Sequence, residues 1–136
     1  MNERQARARF ADSRVARLAT VRPDGSPHLV PLVFALEEDV VWLIIDEKPK
    51  RDRALQRLKN VRNEPRVSLL VDRYDEDWRR LWWVRADGRA SIVEEGPELD
   101  RALALIVERY PQERERLPRG PAIAVQVERW RWWPKR

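Results

Sequence analysis

Three cations, Lys48, Lys50 and Arg51, stand between an apolar run, VVWLIIDE, and a helix-like run, DRALQRLKNVRN. Val40 to Ile45 is β-branched and aromatic. Asp52 to Asn63 carries Leu55, Leu58 and Val61 on one helical stripe, and Val67 to Val71 is a second apolar run, so the order is strand, basic turn, helix, strand. Free backbone N–H groups and the positive dipole end of a helix attract anions, and ammonium groups beside them strengthen that attraction. The stretch therefore reads either as a phosphate dock or as a solvated charge cluster on a connection. Composition alone favours the second, because short basic motifs arise often by chance.

The other reactive residue types are sparse. His28 is the single histidine, and it has no serine or carboxylate at a triad-like spacing. One histidine cannot build a zinc site alone, and no metal is expected. With no cysteine, a thiolate metal site, a redox dithiol and a cysteine nucleophile are all excluded. Asp72, Asp75, Glu76 and Asp77 lack the glycine and final glutamate of an EF-hand loop and read as a solvated loop. Only Gly25, Gly88, Gly96 and Gly120 are present, so neither a P-loop nor a dinucleotide fingerprint can be written. Any phosphate site here must use side chains and a helix end.

At 136 residues the chain is expected to form one domain, residues 1–136, with a real core. A 43% hydrophobic fraction and seven tryptophans indicate a folded protein despite 38% charged residues. The formal net charge of +5 favours anionic partners, yet nearly all of it is arginine, which a GC-rich genome also produces. MNERQARARFADSR lacks the apolar core of a signal peptide, and no run approaches the roughly 18 apolar residues that span a bilayer. A soluble cytoplasmic protein without a membrane partner is expected.

The elements that must position these residues can be read in order. Glu3 to Ala11 reads as a helix, and Arg14 to Arg22 as a strand. Pro23-Asp24-Gly25-Ser26 is a tight turn that folds Pro27 to Leu36 back antiparallel. Val40 to Asp46 is a third strand. After the second helix come Arg66 to Tyr74, Leu81 to Ala86, a turn at Asp87-Gly88, and Arg89 to Val93. Pro97 to Tyr110 carries Leu99, Leu103, Ile106 and Tyr110 on a helical stripe. PQERERLPRGP is a connection, and Ala122 to Trp133 is the last strand, with Ile123, Val125 and Val127 on one face and Trp130 and Trp132 on the other. Seven antiparallel strands with few short helices predict a mainly β protein, a small β-barrel with helices at its ends or outside. The ending ERWRWWPKR could stack the flat rings of a nucleic acid or bury its tryptophans against a partner subunit. The interface is the preferred reading, since a small chain rarely leaves so many tryptophans exposed.

RLATVRPDGSPHLVPL (Arg17 to Leu32), VVWLIIDEKPKRDR (Val40 to Arg53) and NEPRVSLLVD (Asn63 to Asp72), in that order, resemble the split β-barrel proteins of the pyridoxamine-5'-phosphate-oxidase-like class. DEDWRRLWWVRADGRA resembles their coenzyme F420-dependent (deazaflavin) branch in actinobacteria. The resemblance implies an FMN-binding-type split barrel of Greek-key-like antiparallel strands, working as a homodimer with cofactor clefts across the subunit interface. It implies that Lys48 and Lys50, helped by Arg51, hold the cofactor phosphate. Thr20 and Pro31 would line the cleft, Ile44, Ile45 and Asp46 would run beside the ring, and Trp132 or Trp130 of the other subunit would cover it. The segment DRALQRLKNVRNEP is about five residues longer than in shorter relatives, which leaves the contacts near the helix open.

The implied activity is hydride transfer from reduced coenzyme F420 to a small conjugated substrate. Lys48, Lys50, Arg51, Arg53 and Arg57 offer a basic track longer than the single phosphate of FMN needs. Such a cofactor carries the chemistry, so no catalytic acid or base is demanded of the chain. The alternatives are an FMN-binding oxidase or reductase of the same fold, a non-catalytic cofactor carrier, and, least favoured, a nucleic-acid-binding barrel.

Overall fold

The computed structural model describes residues 1–45, 51–112 and 120–136, with residues 51–55 in backbone only. The elements run α1 (Glu3–Asp12), β1 (Ala16–Val21), β2 (Pro27–Leu32), β3 (Ala35–Glu37), β4 (Val40–Ile44), α2 (Arg51–Asn63), β5 (Arg66–Arg73), a short 3-10 turn (Trp78–Arg80), β6 (Trp82–Val93), α3 (Pro97–Arg109) and β7 (Ala122–Trp133). Local chemistry explains several of their ends. Asn2 and Gln5 form a capping box that starts α1. Gly25, at φ 88°, closes the β1–β2 hairpin through Gly25 N–H to the Arg22 carbonyl.

The strands form one antiparallel sheet in the order β2-β1-β5-β6-β7-β4-β3. β2 and β3 are thus its two edges, yet only Val33 and Phe34 separate them in the chain. Seven flat strands would hold their edges about 29 Å apart, while the link from Leu32 to Ala35 reaches at most about 11 Å. The sheet must therefore curl, and it forms a half-barrel left open between β2 and β3. Tyr110, at the end of α3, secures that link: its hydroxyl lies 3.0 Å from the Phe34 carbonyl and 2.9 Å from that of Arg14.

Helices plug the curl. Phe10 of α1 enters one end and meets Phe34 at 4.9 Å and Trp130 at 5.2 Å between ring centroids, the second edge-on. α2 closes the other end with Leu58 and Val61. α3 lies outside, with Leu99 and Ala102 on Trp42 and Ala122.

Three expectations change. Asp87-Gly88 is not a turn between two strands, because β6 runs unbroken from Trp82 to Val93 through a bulge at that dipeptide. A β-carbon on Gly88 would stand 2.2 Å from the Gln126 carbonyl oxygen, so glycine serves close strand approach there rather than reversal. The count of seven strands survives because Pro27 to Leu36 divides into β2 and β3. The third correction follows from the bulge: Asp87 pairs with Arg129 and Gly88 with Val127, leaving Glu128 as the extra residue. Side-chain alternation in β7 resets there, so Trp130 and Trp132 turn to the same face as Ile123, Val125 and Val127, and Trp130 is buried in the core.

Candidate functional site

The α2 end of the half-barrel gathers polar residues on its inner side. Asn60 is completely buried; its Nδ2 donates to Thr20 Oγ1 at 2.9 Å, and its Oδ1 accepts from Gln56 Nε2 at 2.6 Å. This amide ties α2 to β1. Across the hairpin from Thr20 lies His28, half-buried, with Nδ1 buried and without a hydrogen-bond partner. Arg57, one turn before Val61 on α2, likewise has a buried Nε that nothing satisfies. Burial first, then the positive charges of Arg22 and Arg57, push the His28 pKa below its ordinary value. Burial also lowers the Arg57 pKa, but guanidinium remains charged at neutral pH. Arg22 is engaged in the hairpin, where it reaches Ser26 Oγ and the Pro27 carbonyl.

A second feature lies on β4. β3 covers only Val40 to Trp42, so on that edge Leu43 and Ile44 have no strand beside them among the described residues. Ile44 is half-buried against α3, while Ile45 is in the core and donates its N–H to the Pro121 carbonyl at 2.9 Å. The third feature is the outer sheet face. Its rows are Pro31, Arg17, Leu70, Arg85, Arg131 and Leu29, Ala19, Ser68, Asp87, Arg129. Asp87 accepts from Ser68 Oγ at 2.7 Å and Arg85 Nε at 2.9 Å, at one side of a groove of about 560 Å³. A neighbouring groove of about 420 Å³ is walled by Leu70, Tyr74, Trp83 and Trp133. On this side Leu29 and Tyr74 are 68% and 62% exposed, and Trp133 45%.

The sequence profile of pyridoxamine 5'-phosphate oxidase matches residues 3–134. The chain belongs to the pyridoxamine 5'-phosphate oxidase family. A conserved hypothetical protein of Mycobacterium tuberculosis, Rv2991, is 30% identical over 98% of this chain and 84% of its own, with a TM-score of 0.80. A FAD-binding protein of Mesorhizobium loti (20% identity, 97% and 94% of the two chains, TM-score 0.75) shares the fold. So does HutZ, the heme storage protein of Vibrio cholerae (18% identity, 96% and 92%, TM-score 0.75). No curated protein matches the sequence.

In this family member, the residues that the resemblance picked out are distributed unevenly. Asp46, Lys48 and Lys50 lie outside the described residues, and Arg51 is described only as the first residue of α2. Thr20 faces inward, its hydroxyl occupied by Asn60, so its part in any cleft is to place α2. Pro31 is on the outer face, opposite Arg17. Trp132 is engaged within its own chain: Nε1 donates to the Met1 carbonyl at 3.0 Å, and the Lys135 ammonium lies 4.0 Å from the ring centroid. Trp133 is the outward tryptophan. Counting alternation through the Gly88 bulge would have singled it out. Asn60 escaped notice because an asparagine inside an amphipathic helix carries no signal of its own partner. Among the described residues no three His, Asp or Glu side chains are grouped to hold a metal ion, and no helix is long and apolar enough to cross a membrane.

Proposed function

We propose that this protein is a homodimeric coenzyme F420-dependent oxidoreductase that reduces a small conjugated substrate. The observation that carries the reading is the junction of β4 and α2. β4 ends at Ile44 and α2 begins at Arg51, so the connection bearing Lys48 and Lys50 leads directly into a helix N-terminus. Arg53 and Arg57 follow at a spacing of four, on one face of α2. The buried, unsatisfied Arg57 Nε suits an anionic ligand, and the run of cations suits a ligand with several anionic groups better than a single phosphate. When bound, the deazaflavin supplies the hydride.

The chain's own residues bind, orient and exclude water. Lys48 and Lys50 hold the phosphate group, the Thr20–Asn60 bond keeps α2 seated, and the uncovered β4 edge at Ile44 offers backbone groups to a flat ring. Leu29, Leu70 and Trp133 give the outer face exposed apolar side chains for a second copy.

Equilibrium titration with coenzyme F420, FMN and hemin, followed by tryptophan fluorescence, tests the reading. Coenzyme F420 is expected to bind most tightly. Tighter binding of FMN would move the protein to the flavin oxidases or reductases, and tighter binding of hemin would make it a carrier.

A further inference from the structure

We propose that the groove on the outer sheet face at β5, β6 and β7 binds a planar conjugated acid, its ring held by Trp83 and Trp133 and its carboxylate by Arg85 and Arg131. The strand register builds this arrangement. Trp83 lies directly opposite Trp133, and two residues along, on the same face, Arg85 lies directly opposite Arg131. A Trp-x-Arg run on β6 thus meets an Arg-x-Trp run on the antiparallel β7, which sets ring beside ring and cation beside cation. Leu70, the β5 partner of Arg85, completes the walls with Tyr74 and Leu81. The groove holds about 420 Å³, inside the range of roughly 300 to 1,000 Å³ in which small-molecule sites fall. Trp83 is half-buried and Trp133 is 45% exposed, so both rings present surface to it.

Charge selects the ligand. Like charges directly opposite on neighbouring strands repel, and Arg129 adds a third guanidinium to the same face. Asp87 stands among them, 2.9 Å from Arg85 Nε and 3.8 Å from Arg129 Nε, and it also accepts from Ser68 Oγ. Asp72, opposite Trp83, lies 3.1 Å from Arg17. A ligand carboxylate between Arg85 and Arg131 relieves their repulsion and gains charge-assisted hydrogen bonds, whereas a neutral ring gains only the aromatic contact. The Arg85 guanidinium carbon is 5.8 Å from the Trp83 ring centroid, so one small molecule spans both. The second copy proposed above meets the same face, and a homodimer then carries the groove at its subunit boundary. That the bound acid is the molecule to be reduced rests on the reading above, but the site does not.

The probes are 2-naphthoate and its neutral counterpart of the same shape, 2-naphthamide, added to the full chain at neutral pH. Proton–nitrogen NMR follows the indole N–H signals of the seven tryptophans, with Trp83→Phe and Trp133→Phe assigning the two in the groove. Naphthoate is expected to shift Trp83 and Trp133 saturably and to leave the buried Trp130 in place. It should bind roughly tenfold or more tightly than naphthamide, as a charge-assisted hydrogen bond predicts, and Arg131→Gln should shrink that ratio. Trp133→Ala should weaken both probes by roughly tenfold, as loss of a stacking partner does. Equal affinity for the two probes would overturn the acid site, and so would shifts that extend equally to Trp78, which is 70% exposed and outside the groove. A dimeric mass by light scattering with no naphthoate binding would overturn it too and give the groove to the second copy. Coenzyme F420 binding without naphthoate binding would sink the groove and spare the cofactor reading. Naphthoate binding without coenzyme F420 binding would keep the groove and remove that reading.

Discussion

Replacing Asn60 with alanine tests whether one buried amide fastens α2 to the sheet. Two hydrogen bonds disappear, Asn60 Nδ2 to Thr20 Oγ1 and Gln56 Nε2 to Asn60 Oδ1. Each is worth about 1 kcal/mol net, and the Thr20 hydroxyl, 2% exposed, is left without its partner at a cost of about 1 to 3 kcal/mol. The expected destabilisation is therefore about 3 to 5 kcal/mol. Thr20→Val removes the hydroxyl while keeping the shape, and the double variant then no longer leaves that hydroxyl stranded. The double variant should accordingly be less destabilised than the sum of the singles by about 1 kcal/mol or more. Urea unfolding of the four proteins, followed by tryptophan fluorescence, measures the difference. Additive losses would refute the claim that Thr20 and Asn60 act as a pair. Titration of the same set with coenzyme F420 connects the tie to the site, since α2 carries Arg51, Arg53 and Arg57.

Gly88→Ala should cost more stability than Gly25→Ala, because the first forces a β-carbon onto the Gln126 carbonyl while the second meets nothing within 4 Å and bears only its positive-φ strain of about 1 to 2 kcal/mol; denaturant midpoints compare them. Trp133→Asp is expected to give a monomeric mass by light scattering with folding retained, whereas Trp130→Ala should lose about 3 to 5 kcal/mol of stability because its ring is core; a dimeric Trp133→Asp protein would remove the outer face from the proposed interface. Lys50→Ala should weaken coenzyme F420 by about 1.5 to 3 kcal/mol, and an unchanged dissociation constant would take Lys50 out of the site. The folded-state pKa of His28 is depressed, so the unfolded chain binds the proton first and stability should fall as pH drops below about 6.5. His28→Gln should flatten that slope, and an unaltered slope would contradict the buried, cation-flanked environment.

The β1–β2 hairpin, the three helices and the mainly β class were legible along the chain because each rests on neighbours in sequence. PDGS presets its own turn, and Leu99, Leu103 and Ile106 share a helical face at any tertiary position. Three short segments in sequence order, from Arg17 to Asp72, also sufficed to indicate the family. Three other features depended on partners distant in the chain. Gly88 looked like a turn residue until Gln126 was placed against it, and the resulting bulge decided that Trp130 is core and Trp133 is surface. Thr20 and Asn60, forty residues apart, carried no mutual signal, since an inward hydroxyl and an inward amide are recognisable only once a helix packs on a strand. His28 and Arg57 were merely a lone histidine and one arginine among many in the sequence. Only the packing of α2 on β1, through Asn60 and Thr20, brings that helix to the hairpin end that carries His28.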